Sequence, residues 1–126
     1  MATARSTETS VTLDTVIIFS PNMVELAAFY QEGFQWGDPQ AQGDAHLGFP
    51  LPNLYFGIDR IEAGVLPAPG ATTIWFEVDD LDATYERFVS SGAGVRYGPT
   101  RKPWGAILAS LTDLDGNWFG LSQRLG

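Results

Sequence analysis

Residues 72–78 read TTIWFEV, and Asp79-Asp80-Leu81 after them opens an amphipathic stretch that runs to Gly92. The chain makes almost the same statement 58 residues earlier, where Thr15-Val-Ile-Ile-Phe19 leads to Asn22-Met23. Short runs of β-branched and aromatic residues predict buried strands. Asn22 and Asp80 stand at the N-cap position of the helices that follow. Met23, Leu26, Ala27, Phe29 and Tyr30 form the apolar face of the first, which Gly33 ends. Leu81, Tyr85, Phe88 and Val89 form that of the second, which Gly92 ends. A second correspondence, Tyr55-Phe-Gly-Ile58 with Trp118-Phe-Gly-Leu121 at an offset of 63, completes the repeat.

Further strand candidates lie at residues 45–49, 54–59, 94–97, 106–112 and 118–122, with Asp115-Gly116-Asn117 as a hairpin turn. A polar loop rich in Gly, Asp and Gln runs to Asp44, and residues 61–70 carry the Gly and Pro breakers of a connector. Each half reads strand, helix, several strands, and neither buries both faces of its sheet alone. The expectation is one α+β domain over residues 11–126, with halves at about 11–60 and 72–124. Residues 1–10 (MATARSTETS) read as a flexible tail without the apolar run of a signal peptide.

At 126 residues the chain holds one full core and not two. Seven basic against fifteen acidic residues give a net charge of −8, so no phosphate-binding footprint exists and nucleic acid is excluded as a partner. With no cysteine, disulfides, thiolate metal sites and thiol nucleophiles are excluded as well. No apolar run reaches membrane-spanning length, which makes the cytoplasm the expected location. An aromatic share of 13% is rich for this length and points to rings lining a cavity as well as filling a core.

A paired βαβββ unit with an Asp or Asn opening each helix, and DLDGNWFGL over residues 113–121, resembles the vicinal oxygen chelate superfamily. That group includes glyoxalase I, extradiol dioxygenases, fosfomycin-resistance enzymes and the bleomycin- and mitomycin-binding resistance proteins. The resemblance implies curled sheets around a cavity, homodimers, and metal ligands from the first strand and the last strand of each half. The corresponding residues are Thr15, Gly57, Thr73 and Gly120. Threonine is a weak neutral ligand and glycine offers none, so no metal and no other cofactor is expected.

Strand alternation places Ile17 and Phe19 on the face of Thr15, with Tyr55, Gly57 and Asp59 beside them. In the second half it groups Thr73, Trp75 and Glu77 with Trp118, Gly120 and Ser122. The opposite parity is almost wholly apolar and belongs beneath the helices. The expected ligand-binding set is Phe19, Tyr55, Asp59, Trp75, Glu77 and Trp118, with Trp104 of Lys102-Pro103-Trp104-Gly105 as a rim or lid. Two glycine floors and flat indoles suit a planar or cationic guest. The expected function is metal-free sequestration of an aromatic or cationic compound, in the manner of antibiotic-resistance proteins. An alternative is a lyase, isomerase or oxygenase using Glu77 or Asp59 as acid–base residue, or an unusual metal site at His46. A third is a domain whose cavity its own aromatics fill.

Overall fold

The computed structural model describes residues 13–62 and 72–126; the expected tail and most of the connector lie outside them. The first half comprises β1 (Thr15–Ser20), α1 (Met23–Phe34), β2 (Gln40–Ala41), β3 (His46–Pro50) and β4 (Tyr55–Arg60). The second comprises β5 (Thr73–Glu77), α2 (Leu81–Ser90), β6 (Gly94–Lys102), β7 (Ala106–Thr112) and β8 (Trp118–Arg124). They form two four-stranded sheets, ordered β1-β4-β3-β2 and β5-β8-β7-β6. First and last strands run parallel in both, and the registers coincide. Thr15 pairs with Tyr55 and Ile17 with Gly57, as Thr73 pairs with Trp118 and Trp75 with Gly120. The duplication read from the sequence is thus a duplication of strand register.

Three of the differences from the sequence expectation have a visible cause. The residues at 40–41 are exposed and polar or small, so the short edge strand β2 carries no apolar alternation to reveal it. β6 runs on to Lys102 because it pairs with β7 through two register shifts, which hide the period of two. Helix α1 continues past Gly33 to Phe34 and ends on Gln35, whose φ of 58° is left-handed. Gly33 serves the crossing of the helices instead: a Cβ there would fall on the Phe88 ring. Arg87 Nε donates to the Gly33 carbonyl at 3.0 Å, setting a cation at the negative end of α1. The N-cap of α2 is as expected, Asp80 accepting from the Ala83 amide at 3.1 Å.

Both sheets turn their helix sides to a single core. Phe56 and Ile58 from one, Phe119 and Leu121 from the other, and Leu26, Phe29 and Phe88 from the helices are all buried in it. Tyr30 sits at the junction, its ring 5.1 Å from Phe56 and 5.4 Å from Phe119. Its hydroxyl donates to Asp113 Oδ2 at 2.7 Å. The other Asp113 oxygen accepts from the amides of Asp115 and Asn117, each at 2.9 Å. The DLDGN string is therefore a turn wound on one buried carboxylate and bolted to the first half's helix. Among the described residues no helix is long and apolar enough to cross a membrane.

Burial, followed by the charge and hydrogen bond of Asp113, raises Tyr30 well above its ordinary value of 10.0. The native state then keeps a proton that the unfolded chain releases. Stability from this group is full below about pH 10 and falls as pH climbs from there toward the native value. Tyr30→Phe is expected to lose about 1 kcal/mol near neutrality and to show a shallower alkaline loss, measured as urea midpoints at about pH 8 and about pH 11.

Candidate functional site

Alternation turns one face of each sheet away from the common core, and these outward faces carry six of the seven expected site residues. In the first sheet His46 pairs with Asp59 across β3 and β4, and Gly48 with Gly57. With no side chain on Gly48, the Tyr55 ring lies back across the strands: a Cβ on Gly48 would fall on its hydroxyl. Tyr55 Oη so comes within 2.6 Å of His46 Nε2, while His46 Nδ1 lies 2.5 Å from Asp59 Oδ1. One tautomer satisfies both contacts: Tyr55 donates to Nε2, and Nδ1–H donates to the carboxylate. Burial and then the Asp59 charge raise Tyr55 above its ordinary value, keeping its hydroxyl protonated. Ile17 and His46 close over Gly57. Phe19 stands opposite Asp59 on the edge strand, 48% exposed.

On the second sheet the Trp75 ring lies where a side chain on Gly120 would project, and it remains 45% exposed. Trp118 shares that face, but its ring already carries a cation: the Arg96 guanidinium lies 3.6 Å from its centroid. Arg96 Nη1 also donates to the buried Ser110 hydroxyl at 2.9 Å. The register shift between Val95 and Tyr97 brings Arg96 to this place. Glu77 is exposed and lies 3.5 Å from Arg124. Trp104 is not brought to Trp118. It occupies the β6–β7 turn, 69% exposed, beyond the end of β7 opposite to the Thr112–Trp118 pair, roughly 20 Å along the strand.

The glycine floors therefore open no room in the way the sequence suggests, because Tyr55, Ile17, His46 and Trp75 cover them. Because the helix sides of both sheets share one core, the outward faces do not close on a common space. The four positions that the resemblance gives to metal ligands do not fit a metal. Among the described residues no three His, Asp or Glu side chains gather to hold one. His46 and Asp59 form a pair only.

A cleft of about 830 Å³ lies on the helix side between the halves, lined by Trp36, Leu54, Ile74, Phe76, Asp79 and Arg87. Of the expected site residues it includes Trp75 and Glu77 alone. Sequence reading missed His46 as the partner of Tyr55 and Asp59, although a signal existed. Folding the two strands back on each other about the Pro50–Leu54 turn sets His46 opposite Asp59. Arg96 gave no such signal, because a register shift is not written in the pattern.

Residues 12–121 match the model of the Glyoxalase/Bleomycin resistance protein/Dioxygenase superfamily. No curated protein matches in sequence. Among solved structures, a glyoxalase/bleomycin resistance protein/dioxygenase family enzyme from Burkholderia phytofirmans PsJN is similar at TM-score 0.78 and 21% identity, covering 91% of this chain and 100% of that one. TioX from Micromonospora sp. ML1 is similar at 0.72 and 19%, covering 91% and 100%. A lactoylglutathione lyase from Agrobacterium tumefaciens is similar at 0.68 and 18%, covering 91% and 94%. At these identities the structural likeness speaks for the fold.

Proposed function

Because the chain belongs to the Glyoxalase/Bleomycin resistance protein/Dioxygenase superfamily, we propose that it is a metal-independent binding protein of the bleomycin-resistance type that sequesters an aromatic small molecule in the cytoplasm. One observation carries this reading. Where relatives with enzymatic chemistry would need metal donors, this chain has Thr15, Gly57, Thr73 and Gly120, and over the two glycines it lays apolar and aromatic side chains. Such faces offer stacking area and no Lewis acid.

Both carboxylates on these faces are already engaged, Asp59 by His46 and Glu77 by Arg124. Trp118 is covered by Arg96. A free cation would meet no unpaired acid there, so a flat aromatic compound fits better than a cationic one. We further propose a homodimer, in which one copy's first-half face closes over its partner's second-half face. Phe19 and Trp75, each about half exposed and each on an edge strand, support this reading.

Indole fluorescence tests the site. A panel of planar aromatic drugs is expected to quench the wild-type protein, Trp75→Ala to lose most of that response, and Trp36→Ala to retain it. The opposite pattern would move the ligand to the helix-side cleft. One tightly held Fe, Mn, Ni or Zn per chain after purification without chelator would sink the metal-independent reading.

A further inference from the structure

A carboxylate, an imidazole and a hydroxyl in series are the parts of a proton relay, and sequestration alone needs no proton transfer. In the first sheet they are Asp59, His46 and Tyr55, with contacts of 2.5 and 2.6 Å. The arrangement is built: Gly48 has no side chain, and the Tyr55 hydroxyl occupies the space a Cβ would take. The imidazole is oriented at both nitrogens, with its side chain only 17% exposed. Among the described residues the flanking strands β1 and β2 contribute no titratable side chain; Asp14, Asp44 and Arg60 are the charged groups at the ends of these strands, Arg60 donating to the Asp44 carbonyl. Beside the relay, Ile17 packs over Gly57, and Phe19 stands next to Asp59 as an apolar wall.

We propose that this face binds a phenol, a hydroxylated aromatic compound, and takes its proton through Tyr55 to His46. The proposal rests on the aromatic-binding reading above and names the ligand's chemistry. The ligand O–H bond breaks as its proton goes to Tyr55 Oη. The Tyr55 O–H bond breaks as that proton goes to His46 Nε2. The products are a bound phenolate, an intact tyrosine and an imidazolium against the Asp59 carboxylate, with no electron transferred. Asp59 stabilises the charge that appears on the ring, as a carboxylate does for a histidine base in general. Release of the phenol reverses each step. Protonated Tyr55 suits this relay role, which needs a hydroxyl that passes a proton on rather than a standing phenolate.

The test uses p-nitrophenol, whose anion is coloured, at a pH below its own pKa where the free compound is mostly colourless. Binding is measured by equilibrium dialysis and ionisation by absorbance, with p-nitroanisole as the analogue that has no proton to give. The wild-type protein is expected to raise the coloured fraction of bound probe several-fold over that of free probe. His46→Gln, which keeps polar contacts and loses the base, is expected to abolish the colour while retaining binding. Asp59→Asn is expected to lose most of the rise in coloured fraction, because the imidazolium then lacks the carboxylate that stabilises it. Gly48→Ala gives a second route, since it displaces the Tyr55 ring while leaving His46 and Asp59 in place, and the colour is expected to fall with it. Bound probe without colour, colour that survives in His46→Gln, or no binding of p-nitrophenol overturns the proposal. Equal binding of p-nitroanisole and colourless p-nitrophenol would overturn the relay and leave aromatic sequestration standing, whereas failure of both to bind with no quenching by aromatic drugs would remove the two together.

Discussion

Asp113→Ala is expected to destabilise the protein by about 3–5 kcal/mol, measured by urea or thermal unfolding. The carboxylate is buried and accepts from two backbone amides, the Asn117 side chain and the Tyr30 hydroxyl. Hydrogen bonds to a charged group are worth about 1.5–3 kcal/mol each, though members of one network do not add fully. Truncation also leaves the buried Tyr30 hydroxyl without its partner, at a further desolvation cost of about 1–3 kcal/mol. Against a total stability of about 5–15 kcal/mol this is a large fraction. Asp113→Asn keeps an acceptor for the turn amides and is expected to cost far less.

The comparison of wild type with Asp113→Asn also has a pH signature. Burial raises the Asp113 carboxyl more than its hydrogen bonds lower it. The native state therefore holds a proton over a window in which the unfolded chain has lost it. The wild-type advantage over Asn is expected to be greatest below the ordinary carboxylate value of about 4, to shrink as pH rises through the higher native value, and to stay flat beyond.

Phe88→Ala is the second large effect, expected at about 3–5 kcal/mol. The ring is fully buried, lies 4.9 Å from Phe119 and 4.8 Å from Phe34, and fills the crossing of α1 and α2. It thereby links the helix of one half to the sheet of the other. Gly33→Ala alone is expected to cost about 1–3 kcal/mol, because its methyl falls on that ring. The double variant is expected to be more stable than the sum of the two, because the methyl enters space the ring has left. Strict additivity in the measured unfolding free energies would show that Gly33 and Phe88 do not share the crossing.

The sequence by itself determined the repeated order of strand, helix and strands in two halves, and which parity of β1, β4, β5 and β8 belongs to the core. These follow from local alternation, helix caps and turn residues, each written within a few neighbouring positions. Val16 and Ile18, Phe56 and Ile58, and Phe119 and Leu121 alternate cleanly because a half-buried sheet imposes a period of two on composition. The tertiary structure decided what the outward faces hold. Glycines at 57 and 120 read as open floor, yet whether a neighbour's side chain lies across them depends on rotamers and cross-strand reach. So it does for His46, which gains its two partners only through the β3–β4 pairing, and for Arg96, which a register shift carries onto Trp118. Gly33 shows the same division: its freedom from a side chain is visible in the sequence, but that this serves Phe88 of a helix more than fifty residues later is a property of packing alone. Short-range patterns are encoded in residue order, whereas contacts between side chains on different elements exist only once the chain has closed.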